Sequence, residues 1–281
     1  MPRTTLATPT RSIEGIGLNT GRRTRLTLRP APPGTGLRFH WSGQRVTASI
    51  KAARVPPFCS ALALPDGTLL RTPEHLLAAL IAYGVDAAAA HIEGAAEIPI
   101  LDGSALPWCE LLHETGLRAV EAPRPTLRLT RSVEITRDYR TIRAEPARTL
   151  TFDVSLDLAA WGEIRWTGDP LGASFLRELA PARSFGRLRW ALPAALLSLI
   201  TTRPVLRGAR FSNTAPLIGA GILGGARLPD EPVRHRALDL LGDLALLGAP
   251  LAARITASRP AHAINQTFVR ALLDSGALIE S

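Results

Sequence analysis

The sequence predicts an α+β fold in two similar halves packed together, and three observations carry that prediction. Segments in both halves alternate polar and apolar residues with the period of a half-buried strand: TRLTLRPA at 24–31, then TLRLTRSVEIT and ARTLTFDVSLDL further on. Each half also holds an apolar stretch with helix start and stop signals. Between them, EAPRPT at 121–126 reads as a linker, so the expected division is residues 1–122 and 123–281.

The first half opens β-rich, and the strand at 24–31 runs into the turn PPGTG. In LLRTPEHLLAALIAYG, residues 69–84, the period changes to that of a helix. Thr72 is the expected cap, Pro73 suits the first helical position, and Gly84 is suited to close the helix in the left-handed conformation. The body, Leu76 to Ile81, is apolar all round and should be buried on most sides. A short strand at 88–92, the turn-rich EIPILDGSALPW and a helix over Cys109–Leu117 are expected next. In the second half, DEPVRHRALDLLGDLALLGAP repeats the helix signature, with Pro232 near its start and Gly248 at its end. The architecture is duplicated without visible sequence repetition.

At 281 residues and 46% hydrophobic, the chain can bury a sizeable core. Cys59 and Cys109 are the only cysteines, too few for a disulfide framework or a thiolate zinc cage, so a reducing, cytoplasmic setting is expected. The first residues lack the apolar core of a signal peptide. The longest apolar run, Ala191–Ile200, is broken by Pro193 and too short to span a bilayer. The net charge of +9 invites a nucleic-acid reading, but Lys51 is the only lysine and no basic run or aromatic-interleaved basic patch stands out. Residues 1–122 hold 12 basic against 10 acidic groups, and 123–281 hold 21 against 14. That excess suits an anionic small molecule as well as a polymer, and no nucleic-acid polymer is expected as a partner.

His235, Asp239 and Asp243 recur at i, i+4 and i+8, which places them on one face of a helix rich in leucine. Carboxylates and an imidazole there are costly to bury unless paired, hydrogen-bonded or bound to a metal. Either Arg234 and Arg236 neutralise the carboxylates, or His235 and Asp239 reach one zinc ion. Glu74 and His75 open the other apolar helix. There an acid can simply complement the helix dipole, or His75 can ligate a metal while Glu74 addresses the water it binds. Together the two helices supply two histidines and an aspartate, a three-ligand set that leaves a coordination position open. His262 lies in a polar island, SRPAHAINQ, whereas His40, His91 and His113 have no comparable context.

The segments GIGLNTGRRTRLTLRPAPPGTG, RTPEHLLAAL, EIPILDGSALP, ARSFG, DEPVRHRALDLLGDLALLG and AHAIN occur in that order from about Leu6 to Leu273. In these the chain resembles the UDP-3-O-acyl-N-acetylglucosamine deacetylases, zinc-dependent enzymes of lipid A biosynthesis. The resemblance implies two β-α-α-β subdomains packed as a sandwich with helices facing each other and the active site at their junction. It implies Zn²⁺ held by His75, His235 and Asp239, with Glu74 as general base, His262 as general acid, and Asp243 keeping His262 protonated and oriented. Ser184 stands in place of a family threonine that supports the oxyanion. Arg236 takes the place of a substrate-contacting lysine, Phe185 lies at the substrate side of the cleft, and Arg259 near His262 is a further expected substrate contact.

The implied substrate is an acylated UDP-amino sugar, with at most transient contact with membrane-bound steps. The chain departs from the family pattern at Asn19 (usually histidine), at Ala261 (glycine) and at Gln266 (asparagine), and Leu158–Pro170 lacks the family's His-Pro signature. An apolar wall for the acyl chain is expected from Leu158, Trp161, Ile164, Trp166, Leu171 and Phe175, with core packing of the tryptophans as the alternative. A relative acting on another acylated or nucleotide-linked amino sugar, or one without catalysis, is the competing reading.

Overall fold

A computed structural model describes residues 2–187 and 205–281, so the apolar run Ala191–Ile200 lies outside the described residues. The fold is α+β. Residues 24–29 alternate buried and exposed within a strand at Arg23–Pro30, as the sequence pattern requires. This strand pairs with Ile13–Ile16 on one side and Ala88–Gly94 on the other, and Leu37–Trp41 and Gln44–Thr47 complete a five-stranded sheet. The last two strands form a two-residue hairpin at Ser42–Gly43, both with positive φ. A second main sheet is centred on Leu251–Ser258, which runs parallel to Leu127–Leu129 and Thr151–Leu158 and antiparallel to Arg140–Pro146.

Four helices matter for the site: α1 (Glu74–Ala82), α2 (Leu106–Thr115), α3 (Glu231–Leu244) and α4 (His262–Asp274). Leu76–Leu80 of α1 and Ala237–Leu241 of α3 are buried without a break, so these two helices lie inside one contiguous apolar core. They approach almost backbone to backbone. A Cβ on Gly242 of α3 would stand 2.2 Å from the carbonyl oxygen of Glu74, a distance only glycine permits.

Several boundaries differ from the sequence pattern. Leu69–Arg71 is a strand, and α1 starts only at Glu74. Thr72 does not cap it: with φ at 60° it is not in the extended conformation of a cap, and its hydroxyl donates instead to the buried carboxylate of Glu97. Gly84 does adopt the left-handed conformation. Helix α2 begins three residues earlier than Cys109, because Pro107 opens it, and ends before Gly116, whose positive φ turns the chain into the strand Leu117–Pro123. That strand pairs with Pro2–Leu6 and absorbs half of the expected linker. Among the described residues, no helix is long and apolar enough to cross a membrane.

Candidate metal centre

His75 in the first turn of α1 and His235 and Asp239 on α3 form the one group among the described residues able to hold a metal. One donor atom from each lies within 4.8 Å of the others. Nε2 of His75 and Nε2 of His235 stand 3.7 and 3.5 Å from Asp239 Oδ1. The ring of His235 is fixed from behind, since its Nδ1 donates to the carbonyl of Ala182 at 3.0 Å and leaves the Nε2 lone pair facing inward. Asp239 Oδ1, Glu74 Oε2 and His75 Nδ1 are buried and find no hydrogen-bond partner among the described residues. A buried carboxylate oxygen that faces two imidazole nitrogens without a hydrogen-bond partner is costly, and a cation between them removes the cost.

The protonation states also suit ligation. Burial pushes His75 down to about 3 and lowers His235 as well, so both rings are neutral donors. Burial opposes ionisation of Asp239, but the positive charges of His262 and Arg236 outweigh it and hold the carboxyl down to about 2. Two imidazoles and a carboxylate without thiolates match zinc with an open position. Cys59 offers no alternative, because burial pushes its thiol up to about 12.

Beside this trio stand Glu74 and His262. Burial pushes Glu74 up to about 8. Burial works to lower His262, but the charges of Asp243, Asp239 and Glu74 overcome it and raise the imidazole to about 10. Nδ1 of His262 donates to Asp243 Oδ2 at 2.9 Å, and its Nε2 lies 3.6 Å from Glu74 Oε1. Asp243 is in turn fixed by Ser60 Oγ at 2.5 Å and Asn265 Nδ2 at 2.9 Å, and Gln266 donates to Ser60 at 3.1 Å. Ala261 has φ near −160°, extended backbone open to any residue, so alanine there introduces no strain.

Glu74, His75, His235, Asp239 and His262 all face one cavity of about 1330 Å³, which Ser184, Phe185 and Arg236 also line. Ser184 Oγ lies 3.4 Å from His235 Nε2. The Arg236 guanidinium donates to Asp239 Oδ2 at 3.1 Å and lies 4.9 Å over the Phe185 ring. Arg259 is not among the residues lining this cavity: Asp157 and the Tyr139 ring hold its guanidinium. The expected acyl wall divides. Leu158 and Trp161 border a separate cavity of about 500 Å³, and Arg187 lines both cavities. Ile164, Trp166 and Phe175 are core residues, with the Trp166 indole donating to Glu178 at 2.8 Å, and Leu171 packs against that core.

Asn19 is fully buried. Its backbone and side-chain N–H groups both reach Glu97 Oε1, at 2.7 and 3.1 Å, and its carbonyl accepts from Arg207. The residue thus splices the 17–21 loop to the cavity wall at 205–211. Sequence reasoning missed Ser60 and Asn265 around Asp243. It also missed Glu231, which the fourfold spacing back from His235 could have revealed.

A family model described as LpxC, UDP-3-O-acyl N-acetylglycosamine deacetylase, matches residues 3–274. Curated proteins named UDP-3-O-acyl-N-acetylglucosamine deacetylase are similar over nearly the whole chain. The one from Myxococcus xanthus is 34% identical over 277 residues, covering 96% of this chain and 86% of its own length. That from Thermosynechococcus vestitus is 36% identical, covering 92% and 90%. A third, from Neisseria meningitidis serogroup B, is 31% identical, covering 93% and 87%. With the match running from one end of the fold to the other, the chain belongs to the UDP-3-O-acyl N-acetylglycosamine deacetylase family.

Proposed function

We propose that the protein hydrolyses the acetamide of UDP-3-O-acyl-N-acetylglucosamine, releasing acetate and the free amine, in a zinc-dependent step of lipid A biosynthesis. One observation carries the reading: two neutral imidazoles and an ionised carboxylate converge within 4.8 Å beside Glu74 and a protonated His262, in one cavity. The relatives' printed names supply the substrate.

An acetamide is a poor electrophile with a poor leaving group, so attack, oxyanion and departing nitrogen all need assistance. His75, His235 and Asp239 would hold zinc, which supplies acidification of a water towards a pKa of about 7 and polarisation of the amide carbonyl. Glu74 accepts the proton of the attacking water. His262, kept charged by Asp243, donates through Nε2 to the leaving nitrogen, and the Ser184 hydroxyl shares the developing oxyanion. Arg236 and Phe185 meet the nucleotide-sugar. Arg187 and Arg210, also on the cavity wall, join Arg259 as phosphate partners in this reading.

The division into subdomains 1–122 and 123–281 belongs to the same proposal, supported by sheets that draw their strands from one side of it apart from Pro123, the last residue of the strand Leu117–Pro123. Acetate release from the UDP-sugar, with and without a chelator, tests the function. Chelator-insensitive activity overturns the zinc step, and no release at all overturns the substrate.

A further inference from the structure

Glu231 opens α3 one turn before His235, which extends the stripe of Glu231, His235, Asp239 and Asp243 to four side chains at a spacing of four. Its side chain is 1% exposed, and both carboxylate oxygens are occupied. Oε1 accepts from the backbone N–H and the Nε of Arg183 at 2.9 and 2.8 Å. Oε2 accepts from Arg183 Nη2 at 3.1 Å and from the backbone N–H of Arg227 at 2.8 Å. One carboxylate therefore ties residue 183 to residue 227, and Phe185 and Phe211, which line the cavity, fall between them in the sequence. The tie reaches the N-terminal half as well. Arg227 Nη1 donates to Asp102 at 2.5 Å, and the carbonyl of the adjacent Gly103 accepts the N–H of Ser184 at 2.7 Å.

What this pair holds still is the three-residue segment Ala182–Arg183–Ser184. Both neighbours of Arg183 face the metal donors: the Ala182 carbonyl accepts from His235 Nδ1, and Ser184 Oγ approaches His235 Nε2. An ion pair so buried is weak evidence for stability, since apolar side chains of the same volume could fill the space. Four donors converging on one carboxylate do fix geometry, because the guanidinium fork and the two backbone N–H groups each demand a direction.

We propose that Glu231 and Arg183 are positioning residues for the metal centre, fixing the 182–184 segment and through it the ring of His235 and the hydroxyl of Ser184. The inference rests on the His75, His235 and Asp239 ligand set given above. Its test compares wild type, Glu231→Gln and Arg183→Lys, the lysine keeping the charge but losing the fork. Zinc affinity, read by competition with a chromophoric chelator, is expected to fall about 10–100-fold in both folded variants. The proton on His235 Nδ1, followed by NMR, should exchange faster with solvent, and kcat should fall by more than KM rises.

Zinc affinity within threefold of wild type in the variants overturns the proposal. So does a rise in KM alone, because the pair would then merely brace the cavity wall. The affinity arm needs no substrate, so it decides this inference even where the deacetylase reading fails. Should Glu231→Gln not fold, Arg183→Lys carries the comparison.

Discussion

Nδ1 of His262 donates to Asp243 at 2.9 Å while its Nε2 stands 3.6 Å from Glu74, so one imidazole links a buried anion to the group expected to take a proton from water. Replacing His262 with alanine is expected to lower kcat by about 10²–10⁴. Asp243→Asn should cost less and act through His262, whose charged form loses its nearest anion. Steady-state kinetics decide it, and a His262→Ala loss below about threefold would demote the residue to a bystander.

The pH profile of kcat/KM should be bell-shaped. Glu74 must be ionised, so activity falls as pH drops through its pKa; His262 must be protonated, so activity falls as pH rises through its own. Without metal the two groups sit at about 8 and about 10. The positive charge of a bound divalent cation shifts both limbs below those values. Asp243→Asn should move the alkaline limb further down, because it removes the first charge that raises His262. An unmoved alkaline limb in that variant would assign it to another group.

His75→Ala and His235→Ala should each lose bound zinc on metal analysis, and chelation should lower the thermal midpoint of wild type more than that of either variant. Undiminished zinc in both variants would sink the ligand assignment.

The stripe on α3 was legible because carboxylates and an imidazole at a spacing of four inside a leucine-rich segment have few inexpensive explanations. His262 was readable only through family motifs: its partners Asp243 and Ser60 lie 19 and 202 residues away, and no local pattern encodes a hydrogen bond across such a separation. The same holds for Thr72. Its sequence position says helix cap, and only the buried Glu97, 25 residues on, turns its hydroxyl elsewhere. The strand Leu117–Pro123 was hidden because EAPRPT carries loop composition, and pairing with the first residues of the chain overrides it.

Arg236 serves two neighbours, Asp239 at 3.1 Å and the Phe185 ring, while facing the cavity. Arg236→Ala should raise KM for the UDP-sugar strongly. Arg236→Lys should retain function only where the ammonium reaches the same ligand atoms. Equal kinetics for wild type and Arg236→Ala would show that the side chain makes no substrate contact.

The two tryptophans of the altered segment should separate cleanly. Trp166→Ala removes a buried indole and is expected to cost about 3–5 kcal/mol of stability by denaturant titration. Trp161→Ala, bordering the smaller cavity, should leave the fold intact and shift the preferred acyl length in a kcat/KM series. An unchanged length profile in a folded variant would refute Trp161 as a length determinant.

The closeness of Gly242 to Glu74 makes the glycine a spacer between the two helices that carry the candidate metal donors. His75 rides on one helix and His235 and Asp239 on the other, so the gap their donors span is set by how near the helices come. Zinc bonds to such donors at about 2.0–2.2 Å, whereas a larger ion such as calcium prefers about 2.3–2.6 Å. A methyl group at position 242 would wedge the helices apart and tilt the preference towards larger cations without changing a single ligand. In the proposed zinc centre the spacing of the donors would thus depend in part on a residue with no side chain, one that a search for donor atoms would pass over.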